Sequence, residues 1–430
     1  MSLSFPFAAP RLVWALAFGC FGSVGFSSEP SSAAGEPLTL NVALARALVN
    51  NPSLQAYAFE PRFAESRLLQ SGVRADPELA VGVENILGTG AFSGVKGLET
   101  TLQLSQVIDL GGSRARRIAA GEGERALAEA DYATQRIDVL AEVAKRFTEA
   151  VADGERLARA QRARALGEQT VTTVRQRVEA ALLSPVELNK ARTALSRLQI
   201  EEEHNEHELA ACRQSLAAAL GEKEPSFGPL RGDLFKLTAV PEFALLADRV
   251  EQSPLLARFP LEARWREAQL QLAQSLRRSG ARVSAGLRRV EATDAVGFVA
   301  GFSMPLGLRD QAAGTIREAR ERRAQLDVSA DALRLELRAT LFEVYQEMNH
   351  ARTALTQLQQ EVIPQAEETL ALSDQGYRNG RFSLLDLLDA QKSLIELRGE
   401  AIDYAAAFHL HVIELERLLG APLSTATSQP

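Results

Sequence analysis

The chain has 430 residues, enough for several cores, with a formal net charge of −7 and only 6% aromatic residues. Ala, Leu, Glu, Arg and Gln crowd its long stretches, the composition of extended helices rather than of compact globules. Arg is interleaved with Glu and no basic face is built, which excludes nucleic-acid binding as a function class.

In chain order, residues 1–34 read as an export signal. Arg11 precedes an apolar run from Leu12 to Phe26, too short to span a bilayer comfortably, and small and polar residues follow. Cys20 opens a second reading of this leader, acylation at a loose lipobox formed by Ala17-Phe18-Gly19-Cys20. Beyond it only Cys212 remains, so no internal disulfide is expected despite export. No later segment holds the roughly 18 continuous apolar residues of a membrane helix. If this chain enters a membrane, it must do so with strands.

A first unit covers 35–221. Helices fill Leu38 to about Arg74, with a break and restart at Asn50-Asn51-Pro52. Two strands are predicted over 78–86 and 97–109, joined by a turn containing Gly88, Gly90 and Gly94. In the second, Leu98, Thr100, Leu102 and Leu104 alternate with Glu99, Thr101, Gln103 and Ser105, giving one largely apolar and one polar face. A long helix follows over 113–182, with a 3-4-3-4 seam at Ile137, Leu140, Ala144, Phe147 and Val151. About 70 residues at 1.5 Å each make a rod on the order of 100 Å long. Ser184-Pro185 breaks it, and a return helix runs over 186–220. Residues 222–240, carrying Pro225, Gly228, Pro229 and Gly232, form a linker.

The second unit, 241–420, repeats the plan. Helices with a break at Ser253-Pro254 lead to strands over 281–290 and 296–304. A second rod over 310–378 carries the cleaner seam: Leu337, Leu341, Val344, Met348, Ala351, Leu355, Leu358, Val362. Pro364 is expected to kink it. A return helix covers 384–419, and 421–430 is expected to be a disordered tail. Four landmarks recur at a nearly constant offset of about 200 residues: Asn51-Pro52 with Ser253-Pro254, Leu104-Ser105 with Phe302-Ser303, Leu183-Ser184 with Phe382-Ser383, and Leu220-Gly221 with Leu419-Gly420. Such spacing marks a tandem duplication.

Four strands cannot close a barrel, and lipid forbids open sheet edges. If these amphipathic strands meet the outer membrane, several chains must pool them, and three copies supply twelve, enough for a barrel with a passage. The competing reading is a periplasmic coiled-coil scaffold with two small soluble hairpins. No phosphate-cradling glycine loop, nucleophile elbow or HExxH helix is present, so neither an enzyme nor a cofactor is expected. His204 and His207 are spaced to share a metal on one helix face, but two ligands make half a site. His409 and His411 face different sides of a helix.

Particular stretches carry a resemblance. They are Leu38-Thr39-Leu40 leading to Asn51-Pro52, then Glu99 to Gln106 with Asp109-Leu110-Gly111-Gly112-Ser113-Arg114. The most specific is Val362-Ile363-Pro364-Gln365-Ala366 with Tyr377, Gly380 and Leu384 to Gln391. Over nearly all its mature length the chain resembles the TolC-type outer-membrane efflux proteins, in particular the CzcC-like subgroup serving heavy-metal resistance pumps. The resemblance implies a mainly α fold with a small β part. It implies a homotrimer in outer-membrane lipid, its 12-stranded β-barrel joined to a periplasmic α-helical barrel. It further implies a periplasmic adaptor and an inner-membrane pump of the RND type as partners, with heavy-metal cations as cargo. Organic compounds or drugs are the alternative cargo.

Two sites follow from the resemblance. Asp386 and Asp389, three apart at a helix start, match the acidic constriction of the family, and six carboxylates around one axis favour cations. At a helix N-terminus they also serve as capping groups. The first repeat has Glu187 and Lys190 there instead. The interhelical turns, Leu183, Ser184, Pro185 and Val186 in one repeat and Gly380, Arg381, Phe382 and Ser383 in the other, are the implied adaptor-contacting tips.

Overall fold

The computed structural model describes residues 36–277, 280–305 and 312–423. The leader with Cys20, the start of the second rod at 310 and the end of the tail lie outside them. Strand β1 (Leu38–Thr39) pairs in parallel with β4 (Leu230–Arg231), which ties the linker to the head of the first repeat. Helix α1 (Leu40–Asn50) stops at Asn51, whose side-chain oxygen accepts the Leu54 N–H and so caps α2 (Pro52–Tyr57). Helix α3 (Phe59–Ser71) completes the head.

Strands β2 (Glu78–Glu84) and β3 (Glu99–Ile108) form an antiparallel hairpin. Helix α4 (Ser113–Glu179) is the first rod, 67 residues without interruption. Gly112 enters it at φ +67, and Asp109 caps the entry, accepting the N–H groups of Gly111 and Arg114 and the Ser113 hydroxyl. These bonds, the Arg114 N–H foremost, hold the Asp109 carboxyl at about 2. Helix α5 (Pro185–Ala219) returns along α4.

The second repeat follows with α6 (Phe243–Val250), α7 (Pro254–Ser275), β5 (Ala281–Val290) and β6 (Ala295–Ser303). Its rod is α8 (Ala313–Gln357), a π turn over Leu358–Val362 and α9 (Ile363–Arg378), and α10 (Leu384–Leu419) returns. The break expected at Pro364 takes the form of that π turn. Proline has no N–H to give and crowds the carbonyl four residues back, so the backbone widens just upstream instead of ending.

The duplication is visible in atoms. Asn51 donates from Nδ2 to the Ala219 carbonyl (2.8 Å), and Ser253 donates from Oγ to the Leu418 carbonyl (2.7 Å), each tying the head of its repeat to the end of the return helix. The repeats share one antiparallel sheet in the order β2-β3-β5-β6, with β3 against β5 from Glu99↔Val290 to Ile108↔Ala281.

Separate cores serve the two repeats, one around Val143, Phe147 and Leu216, the other around Leu341, Met348, Phe408 and Leu415. A third, with Ala152, Leu234, Leu355 and Ala405, joins them at mid-rod. The second seam is buried as its spacing predicts, with Val344 and Val362 partly covered. The first is broader than predicted. Val139 and Val143 are buried while Ile137, Leu140 and Val151 are half-buried, because α4 packs against α3, α5, α7 and α10 and not against one partner. The tail begins in order: Leu423 is 2% exposed and its N–H donates to Glu416.

Candidate functional site: the amphipathic sheet and the helix tip

Register places the sheet's side chains in rows. Val81, Leu102, Leu287 and Phe298 form one row, and Leu79, Leu104, Ala285 and Ala300 the next, on one face. That face is open, with Leu102 at 48% and Phe298 at 91% exposure. The opposite face carries Glu84 and Glu99, then Gly82, Thr101, Arg288 and Gly297, then Ala80, Gln103, Gly286 and Val299, then Glu78, Ser105, Ser284 and Gly301. On the two central strands it is the less exposed side, with Thr101 and Ser105 each at 8%, while β2 and nearly all of β6 are exposed on both faces. Here the apolar side chains turn outward and the polar ones inward, the reverse of a soluble sheet. Polar-face charges are paired. Arg288 donates to Thr101 (3.0 Å) and Glu99 (2.9 Å) and lies 3.3 Å from Glu84, while Arg282 pairs with Glu78. Among the described residues no helix is long and apolar enough to cross a membrane.

At the far end of the rods the two turns share one geometry. Arg381 N–H donates to the Gly376 carbonyl and Gly380 N–H to Tyr377; one repeat earlier, Leu182 donates to Arg177 and Ala181 to Val178. Gly380 stands at φ +72 and Ala181 at φ +57. Phe382 lies over Gly376, where an added Cβ would collide with its ring. Ser184 and Ser383 cap the return helices, and Pro185 takes the first helical position of α5. Ser184, Pro185, Val186 and Gly380 to Ser383 stand at the surface, while Leu183 is half-buried against the cluster of Val174, Tyr377, Leu384 and Leu387.

Asp386 and Asp389 are both exposed on α10. Asp386 completes a capping box: Ser383 donates its N–H (2.8 Å) and hydroxyl (2.7 Å) to Oδ2, and Asp386 N–H donates back to the Ser383 hydroxyl. The Ser383 hydroxyl and N–H hold this carboxyl below the usual range. Asp389 has no polar partner among the described residues. In the first repeat Glu187 is neutralised by Lys190 at 3.1 Å.

A contact absent from the sequence reading closes this end. Arg177 on α4 donates to the Tyr377 carbonyl (2.6 Å), and its guanidinium lies 4.8 Å from the centre of the Tyr377 ring. The phenol oxygen of Tyr377 is buried without a hydrogen-bond partner among the described residues, and burial pushes its ionisation up. Tyr377 was marked by the resemblance; nothing local marks Arg177, whose partner is 200 residues away.

The other marked residues hold ordinary places. His207 lies 3.8 Å from Glu203 on an exposed helix face, and no group of three or more metal-ligating side chains occurs among the described residues. His409 contacts the Leu234 carbonyl at 2.9 Å. Burial pushes the Cys212 thiol up to about 12, so it is not a nucleophile.

An open sheet, apolar outside and polar inside, on rods on the order of 100 Å long defines a class: membrane ducts with a helical extension. The chain belongs to the outer membrane efflux protein family, whose model matches it twice, over residues 43–222 and 242–421. It is therefore an outer-membrane protein with a periplasmic extension. It is 30% identical to the cobalt-zinc-cadmium resistance protein CzcC of Cupriavidus metallidurans, over 91% of this chain and 92% of that protein. It is 26% identical to the nickel and cobalt resistance protein CnrC of the same organism, over 68% and 69%. Among solved structures, CusC superposes with a TM-score of 0.73 at 18% identity, over 89% of this chain and 92% of that one. The outer membrane protein VceC of Vibrio cholerae gives 0.72 at 18%, over 89% and 96%.

Proposed function

We propose that this chain is the exit duct of a tripartite exporter of heavy-metal cations. The observation that carries the duct is the sheet, whose β2 and β6 edges are unpaired in one chain and whose apolar face lies open. Lipid tolerates no open edge, so three chains pooling four strands each make the smallest closed barrel of useful width. The polar face then lines water, and α4, α5 and α8–α10 of three chains form the helical tube. The heavy-metal cargo is supported by the kinship with resistance proteins named for cobalt, zinc, cadmium and nickel.

The tip is the gate and the docking end. Three copies of Asp389, each without a polar partner among the described residues of its own chain, together with Asp386, present a ring of carboxylates that attracts cations and is held closed by them. The turns at 183–186 and 380–383, exposed but for the half-buried Leu183, are capped by Ser184 and Ser383, which suits them to a periplasmic adaptor; an RND-type inner-membrane pump supplies the energy. The test is a sensitivity panel on a deletion strain and its complemented parent, with zinc, cobalt, cadmium, nickel, copper and silver set against dyes, detergents and antibiotics. Metal-selective sensitivity is expected. Sensitivity confined to organic compounds would overturn the cargo and keep the duct.

A further inference from the structure

Arg288 sits between two carboxylates at the loop end of the polar sheet face. Its guanidinium reaches Glu99 at 2.9 Å and Glu84 at 3.3 Å, and Asn85, at φ +59, donates its amide to Glu99 at 3.3 Å. Six residues toward the other end, Arg282 meets a single carboxylate on its own face, Glu78, and the Ser105 hydroxyl. The two clusters therefore differ in net charge. Arg282 and Glu78 cancel, whereas Glu84, Glu99 and Arg288 leave one negative charge on each chain.

We propose that Glu84, Glu99 and Arg288 form an electrostatic exit filter at the outer mouth of the duct. The inference rests on the trimeric duct reading and adds to it a second selectivity element, far from the tip carboxylates. In a closed barrel three such clusters surround the water path, with low-dielectric walls behind them to focus the field. Arg288 sets the strength of the filter. By neutralising one of two neighbouring carboxylates it leaves a ring that draws hydrated cations outward without holding them, and conduction requires binding weak enough for release.

The test reads local potential through a reporter thiol and requires no open gate. Gln103 faces the same side two residues along β3 from Thr101, the register partner of Arg288. A Gln103→Cys variant in full-length protein, in intact cells, is treated from outside with a cationic and an anionic methanethiosulfonate. The natural Cys212, half-buried with its thiol pushed up, stays silent. The cationic reagent is expected to react faster. Arg288→Gln in this background raises the cation-to-anion rate ratio about two- to fivefold, as one unit charge about 8 Å away across water implies, and Glu99→Gln, four residues along β3 and about 14 Å away, lowers it by less. Ratios unmoved by both substitutions, in protein that still reaches the outer membrane as a trimer, would overturn the filter and leave the duct standing. A Gln103→Cys thiol unreactive to both reagents would overturn the water-lined face, and with it the duct.

Discussion

Ala181 and Gly380 hold the same place in the two tip turns, both in the left-handed region. Glycine enters it freely, whereas an L side chain costs on the order of 1 kcal/mol there. Ala181→Gly is expected to stabilise by about 0.5–1 kcal/mol, and Gly380→Ala, which meets nothing within 4 Å, to destabilise by about 1 kcal/mol through backbone strain alone. Thermal unfolding of the purified trimer checks both, and a destabilising Ala181→Gly would show the turn needs the methyl. The two aspartates separate at this scale as well. Asp386 is committed to the Ser383 cap, so Asp386→Ala should loosen the start of α10 and lower the thermal midpoint. Asp389 has no polar partner among the described residues, so Asp389→Ala should leave stability within about 0.5 kcal/mol while raising resting conductance and weakening divalent block in a planar bilayer. Unchanged block would remove Asp389 from the gate. Sequence spacing put both residues on one face but could not divide these roles, because the division lies in which oxygen the Ser383 hydroxyl reaches.

Between elements, the repeats are clamped by charge as well as by apolar contact. Lys145 on α4 donates to Glu414 on α10 at 2.7 Å, Arg417 chelates the same carboxylate, and Arg417 also reaches Asp138 on α4 at 2.9 Å. Arg417 and Lys145 hold the Glu414 carboxyl at about 2 against its burial. A depressed carboxyl contributes stability above its unfolded value near 4.5 and loses it as pH falls through its folded value near 2. Wild-type stability should therefore fall across that window by on the order of 2 kcal/mol more than that of Glu414→Gln, which lacks the titration. Acid unfolding of the two proteins side by side checks this, and parallel curves would show the network to be solvated. The heptad of α8, the stop at Ser184-Pro185 and the strand alternation were all legible because each is a local pattern. Lys145–Glu414, 269 residues apart, and Arg177–Tyr377 were not. A charge on a helix states only that it needs a partner or water, and the fold chooses between them. Pro364 was legible as a disturbance, but its form, a π turn that preserves the rod, depends on neighbours that hold both halves in line.

For the whole molecule, what decides between a duct and a soluble scaffold is which face of the shared sheet meets lipid. Alternation in β3 revealed two unlike faces without saying which turned outward; on the paired β3 and β5 the apolar face is the more exposed, which supports turning it toward lipid. Phe298 and Gln103 test that assignment at equal depth, since Phe298 pairs with Leu287, Gln103 pairs with Gly286, and these two partners are adjacent on β5. Phe298→Arg puts a charge on the outward face, where a bilayer midplane position costs about 2–4 kcal/mol per chain. Gln103→Lys puts one on the inward face, where water and the neighbouring carboxylates receive it. Because a trimer incurs the penalty three times, the difference in assembly should be large. Phe298→Arg is expected to reduce heat-modifiable trimer in the outer-membrane fraction at least several-fold, while Gln103→Lys assembles normally. A soluble coiled-coil scaffold predicts no such asymmetry, because both faces of its hairpins would meet water. Equal assembly of the two variants would therefore favour the scaffold, and a defect confined to Gln103→Lys would mean that the sheet closes with its faces reversed.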